Sequence, residues 1–207
     1  MAQFVLVHGA WHGSWCFRWL CEELEERGHD VEPLDLPCER VGVTHAAYAE
    51  LIGPRPEAVV VAHSLAAQCA ALVDARRRVY LGALLPVEGA ANDAFADGFG
   101  GTVRDQDGRS YWPDPDTCAA KMYPDCTRTC SHWAFAQLRR QARMADVVVR
   151  LDRSDVVVVT TRDAAIDPDW QRRVARANRL RAVELDAGHS PFFTQPDELA
   201  DLLDALV

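Results

Sequence analysis

Short unbroken apolar runs alternate along this chain with stretches in which apolar residues recur every three or four positions, a pattern that predicts strands and helices in turn. The runs at 4–7 (Phe-Val-Leu-Val), 58–62 (Ala-Val-Val-Val-Ala), 79–85 and 156–161 are too short for helices and lack polar alternation, so each reads as a strand buried on both faces. Strands at 29–36 and 181–185 bring the set to six. Trp15, Trp19, Leu20 and Leu24 fall at helical spacing between a Ser14 cap and Gly28. Further helices are predicted at 44–52, directly after Ser64, at 169–178 and at 196–206. The strand-helix order lapses between 87 and 151, where helical spacing survives only around 117–122 and 131–144. An irregular segment of that length between two strands predicts a lid. The expected fold is α/β: a six-stranded, mostly parallel sheet with helices on both faces, in a single domain over 1–207 with a lid insert at about 87–151.

Composition narrows the class. With 49% apolar and 26% charged residues in 207, the chain has the balance of a globular protein with a sizeable core, and none of its apolar runs approaches the roughly 20 residues that span a bilayer. Met1-Ala2-Gln3 leads straight into a strand, so a cytoplasmic location is expected. A net charge of -9 argues against a nucleic-acid partner. Of the arginine clusters, Arg76 to Arg78 is expected at a helix end and Arg139 to Arg143 on a solvated helix face. The seven cysteines are an odd number without paired short spacing, so reduced thiols are expected; Cys126-x-x-x-Cys130-x-His132 with Cys118 makes a poor zinc pattern. Gly100-Gly101 follows no strand, which opposes a phosphate loop. Neither metal nor cofactor is expected; the partner is a small-molecule substrate, with no membrane, and a homodimer is left open.

The candidate chemistry centres on Ala62-His63-Ser64-Leu65-Ala66, where a buried strand stops at a serine and a small-residue helix begins at once. The serine is either a plain helix cap or a nucleophile presented at the carboxyl edge of the sheet. A serine nucleophile needs a base, and His189, in the loop between the last strand and the last helix, stands at the same edge. His8, His12, His29, His45 and His132 are less well placed, and His63 is expected to point away. The base needs an acid. Asp163 follows the strand at 156–161, whereas Asp167-Pro168 looks like the cap and first turn of a helix, and Asp186 precedes the histidine loop.

The order Ser64, Asp163, His189 and the elbow resemble the α/β-hydrolases, whose elbow reads G-x-S-x-G where this chain has alanine at both flanks. Residues 4–15, Asp35-Leu36-Pro37, the strand ending at Leu85-Pro86, Arg162-Asp163 with Pro168-Asp169-Trp170, and Gly188-His189-Ser190-Pro191-Phe192 are similar to the esterase and hydroxynitrile-lyase branch of that superfamily. The resemblance implies an oxyanion hole from the backbone N–H groups of Ala10 and Leu65. Lyases of the branch carry threonine where Gly9 stands and lysine where Ser190 stands, so the resemblance implies the esterase side: a serine hydrolase cleaving a small, largely apolar ester, lactone or thioester. A lyase or cyclase using the same groups as acid and base, and a non-catalytic ligand-binding protein, are the alternatives. Trp11, Tyr111, Trp112, Trp133, Phe135 and Phe192 are expected either to wall the pocket or to form the core of the lid.

Overall fold

A computed structural model describes residues 1–87, 99–145, 147, 149 and 151–207; the rest of the expected insert, 88–98 with 146, 148 and 150, lies outside the described residues. Six strands, β1 (Gln3–Val7), β2 (Asp30–Leu34), β3 (Arg55–His63), β4 (Ala75–Leu81), β7 (Val156–Thr160) and β8 (Arg181–Leu185), pair in the order β2-β1-β3-β4-β7-β8. Every pairing between them is parallel. The apolar runs carry no polar alternation because both sheet faces are covered. Phe4, Leu6, Val59, Val61, Val156 and Val158 face one layer, with α1 (Arg18–Glu26) and α8 (Pro196–Asp204). Val5, Val7, Val60, Ala62, Val157 and Val159 face the other, with α2 (His45–Ile52), α3 (Ala66–Ala70) and α6 (Pro168–Ala177).

The strand order also decides where loops gather. The chain leaves β1 for β2 on one side and returns to β3 on the other, with Val7 level with Ala62. The loops after β1 and β3 therefore diverge from a crevice at the carboxyl edge, the place where open parallel sheets bind ligands.

Between β4 and β7 lie a hairpin of β5 (Val103–Arg104) and β6 (Ser110–Tyr111), then α4 (Pro115–Met122) and α5 (Arg128–Gln137). The side chains of Asp114 and Thr127 cap the two helices by accepting Thr117 and Cys130 N–H groups. Among the described residues, no helix is long and apolar enough to cross a membrane.

Several expectations need correction. Ser14 caps nothing with its side chain; Gly13 is the cap of a 3-10 turn, Ser14–Phe17, and the Ser14 N–H donates to Asp35. Arg76 to Arg78 lie inside β4, not at a helix end, because α3 stops after five residues and the strand starts at Ala75. Arg78 can occupy a strand because buried Asp155 meets its guanidinium at 3.0 Å. The helix expected at 131–144 ends at Gln137, so Arg139 to Arg143 are not on a helix face. One turn, α7 (Pro191–Thr194), was not foreseen.

Candidate active site

Ser64 has φ +52°, a left-handed backbone that a side chain adopts only when its surroundings impose it. Three hydrogen bonds do so: its N–H donates to Leu81 O at 3.0 Å, and its carbonyl accepts from Ala67 N (3.2 Å) and Leu84 N (3.1 Å). Ala62 and Ala66 are buried on either side, so methyl groups fit where glycine was the expected pattern. Gly9 has no such room: a Cβ there would lie 2.9 Å from Ser64 Cβ and from His63 Nδ1.

His189 and Asp163 meet, with Nδ1 at 2.8 Å from Oδ2. A carboxylate only accepts, so Nδ1 carries the proton and Nε2 is left with its lone pair. Nε2 is buried and has no hydrogen-bond partner among the described residues; Ser64 Oγ makes no hydrogen bond to it. Asp163 is fixed by the N–H groups of Ala165 and Ile166 (2.8 Å each), by Thr160 Oγ1 (2.7 Å) and by Gln171 Nε2 (3.1 Å). Burial alone would raise its pKa, but His189 and these donors outweigh burial and hold the carboxyl below the usual range. Asp167 caps α6 by accepting the Asp169 N–H, and Asp186 is exposed and paired with Arg162; neither touches His189. Gly82 makes the approach possible. At φ +49°, a Cβ there would lie 3.2 to 3.5 Å from Thr160 Oγ1, Asp163 Oδ2 and His189 Nδ1.

The loop after β1 runs beside Ser64. Ala10 and Leu65 N–H groups donate to no acceptor among the described residues, and both residues line the same cavity as Ser64. The Ala10 peptide is oriented from behind: His12 Nδ1 donates to Ala10 O at 2.9 Å, and the Tyr123 hydroxyl donates to His12 Nε2 at 2.8 Å. Burial lowers the His12 pKa to about 3, which keeps the ring neutral and able to donate from one side and accept on the other. His8, lowered by burial to about 4, does likewise between Gly9 O and Leu36 N.

Arg139 closes this loop from the far side. Its backbone N–H donates to Trp11 O at 2.7 Å; its guanidinium donates to His12 O from Nε (3.0 Å) and Nη2 (2.7 Å), and to Leu36 O at 2.9 Å. Asp35 and Glu39 neutralise it. Trp11 holds φ +65°, a strained value that these contacts enforce. Asp125 does a similar job at the other loop, accepting the Gly188 N–H at 2.7 Å beside His189. A solvated face was expected for Arg139; it is instead mostly buried in a bonded network.

A cavity of about 250 Å3 opens at Ser64, lined by Ala10, Trp11, Leu65, Leu84, Phe99 and Ile166 together with polar Gln68, Ser110 and Gln141. Of the aromatics expected in its wall, only Trp11 is there. Tyr111, Trp112 and Phe135 border a separate depression, Trp133 packs on the outside against Trp15 and Trp19, and Phe192 is core against Phe17 and His63. His63 does not point away from the base: its ring lies 4.7 Å from that of His189, its Nε2 donates to His189 O at 3.0 Å, and burial pushes its pKa well down. Sequence reasoning missed Gly82, Gln171, Asp125, Tyr123 and Arg139. Only Gly82 carried a visible signal, an isolated glycine at the end of a buried apolar run.

The family model described as "Alpha/beta hydrolase family" matches residues 4–202. A carbendazim hydrolyzing esterase of Nocardioides sp. (strain SG-4G) is 61% identical over 31 residues, a stretch that spans 15% of this chain and only 13% of that relative. Methylesterase 9 of Arabidopsis thaliana is 25% identical over 248 aligned positions, covering 98% of this chain and 97% of its own. Among solved structures, tomato methylketone synthase I complexed with 2-tridecanone superposes with a TM-score of 0.82 at 20% identity, over 99% of this chain and 97% of that one.

Proposed function

The chain belongs to the alpha/beta hydrolase family, and on that premise we propose that it hydrolyses a small carboxylic ester through an acyl-enzyme on Ser64. Ser64 Oγ attacks the ester carbonyl while His189 Nε2 takes its proton. Asp163 keeps that proton's partner nitrogen, Nδ1, protonated and stabilises the imidazolium. The tetrahedral oxyanion is held by the Ala10 and Leu65 N–H groups, each worth about 3 to 4 kcal/mol to the transition state. His189 returns the proton to the leaving alkoxide, and the acyl group stays on Ser64. A water, deprotonated by the same Nε2, then attacks the acyl carbonyl, and the acid leaves as Ser64 regains its proton.

The reading is carried by one observation: two backbone N–H groups, at Ala10 and Leu65, that donate to no acceptor among the described residues flank a strained serine at one cavity. The lone pair of His189 Nε2, which meets no donor among the described residues, suits a general base, and catalytic hydrogen bonds without substrate are often long. Gly9 supports hydrolysis over cyanohydrin cleavage, since a threonine there would collide with Ser64. The cavity volume suits a small acyl group, lactone or thioester. The segment between β4 and β7 supplies Phe99 and residues 141–145 to the cavity wall, which supports its role as a lid.

The test is a panel of p-nitrophenyl acetate, butyrate and octanoate with wild type, Ser64→Ala and His189→Ala. Turnover of the short esters that falls at least about a thousandfold in both variants upholds the reading. Turnover that survives Ser64→Ala overturns it.

A further inference from the structure

Two arginines, Arg104 and Arg143, line the cavity that opens at Ser64. Arg104 pairs with Ser110 across the β5–β6 hairpin, and Ser110 exchanges two 2.8 Å hydrogen bonds with Gln141, extending the ladder by one strand. Directly opposed residues of an antiparallel ladder share a face, and so do residues two apart. Arg104, Ser110 and Gln141 therefore lie on one face, and these three and Arg143 line the cavity beside Ser64.

The alternate residues lie on the other face and satisfy one another. Asp105 accepts from Arg109 at 2.9 Å and pairs with Arg140; Asp107 takes the second Arg109 nitrogen; Arg140 stacks 4.9 Å over the Tyr111 ring. Every acid of the hairpin is thereby spent on the outer face. On the cavity face, Arg104 donates to Gly108 O, an uncharged group, and neither Arg104 nor Arg143 pairs with a carboxylate among the described residues. Among the described residues, the lining contains no acidic side chain. Two guanidinium groups at one cavity, neither paired with a described carboxylate, suit a planar anion.

We propose that the substrate is an ester carrying a carboxylate at the end remote from the scissile bond, with Arg104 and Arg143 binding that carboxylate while Ser64 meets the ester carbonyl. This rests on the ester-hydrolase reading and adds the charge of the substrate to it. The arginines act in binding and set specificity; the bond-breaking groups are unchanged.

Monoethyl glutarate and its neutral isostere, ethyl 4-carbamoylbutanoate, separate charge from size. Wild type is expected to prefer the carboxylate ester on the order of tenfold in kcat/KM, mainly through KM, and to lose most of that preference in 1 M salt. The Arg104→Gln/Arg143→Gln double variant should bring the ratio of the two substrates near one, and the double lysine variant should retain a preference. Equal rates for the two esters in wild type, or a ratio that the glutamine variant leaves intact, overturns the proposal. Should neither ester turn over, hydrolysis of such substrates is ruled out and calorimetry with glutarate decides the anion site separately. Binding by wild type that the glutamine variant loses upholds the site; no binding by wild type overturns it.

Discussion

Replacing Arg139 by methionine tests whether the insert braces the loop that carries Ala10, the proposed oxyanion donor. The substitution keeps the aliphatic stem and the backbone N–H bond to Trp11 O but removes the bonds from the guanidinium to His12 O and Leu36 O. Each carbonyl interaction contributes about 1 to 1.5 kcal/mol net. The contacts to Asp35 and Glu39 add little, because those carboxylates are 57% and 40% exposed. A loss of roughly 2 to 3 kcal/mol follows, or about 5 to 10 °C in Tm for a chain of this size. The rate should suffer more than that figure suggests. Trp11, next to the Ala10 donor, is held at φ +65° and relaxes once its brace is gone. If the competent loop falls to between a tenth and a hundredth of the population, kcat drops about 10- to 100-fold while KM moves less than about threefold. Initial rates on p-nitrophenyl acetate, well below the variant's melting temperature, measure this. Lysine at 139 should recover little, since one ammonium cannot span both carbonyls. A folded variant with lowered Tm but kcat within about twofold of wild type would show that Arg139 only stabilises the fold.

Gly82→Ala should cost about 1 kcal/mol for the left-handed backbone and lower kcat at least about tenfold, because the new methyl presses between Thr160, Asp163 and His189; unchanged kinetics would refute the tight approach. Arg78→Met should destabilise by about 3 kcal/mol, read from the denaturant midpoint, because it strands the Asp155 carboxylate in the core; a loss under about 1 kcal/mol would contradict this. Stability should also fall with acidity. His8, His12 and His63 have folded pKa values below the ordinary value near 6.5, so the unfolded chain takes up protons that the folded one refuses. As pH drops from about 6.5 towards 4, these three cost up to roughly 4 kcal/mol per pH unit together. Asp163 acts at lower pH: its depressed pKa contributes stability above the ordinary carboxylate value, lost as pH falls through the folded value. A Tm that stays flat from pH 7 to 5 would sink the histidine prediction.

Much of this was legible in the residues, for a physical reason. Strands buried on both faces must be apolar along their run, so β1, the second half of β3 and β7 stand out. Chain order and placement at one sheet edge brought Asp163 and His189 together, and these two do meet at 2.8 Å. What stayed hidden depends on contacts between distant segments. Arg139 reads as a surface residue until Trp11, His12 and Leu36 surround it. Arg76 to Arg78 read as a helix end because nothing local announces that α3 lasts five residues or that Asp155 awaits Arg78. The aromatics misled because a tryptophan satisfies its apolar surface equally well in a core or on a cavity wall. Trp133 found Trp15 and Trp19, while aliphatic side chains such as Leu84 and Ile166 took the cavity.

The central claim is that Ser64 is a working nucleophile beside a formed oxyanion hole. Intact-protein mass after exposure to a small fluorophosphonate, for wild type and Ser64→Ala, tests it most directly, since the reagent requires both an activated hydroxyl and donors for its phosphoryl oxygen. The account predicts one adduct per chain in wild type and none in the variant. Folded wild type that stays unlabelled under conditions where a control serine hydrolase reacts fully, or labelling that persists in Ser64→Ala, would contradict it.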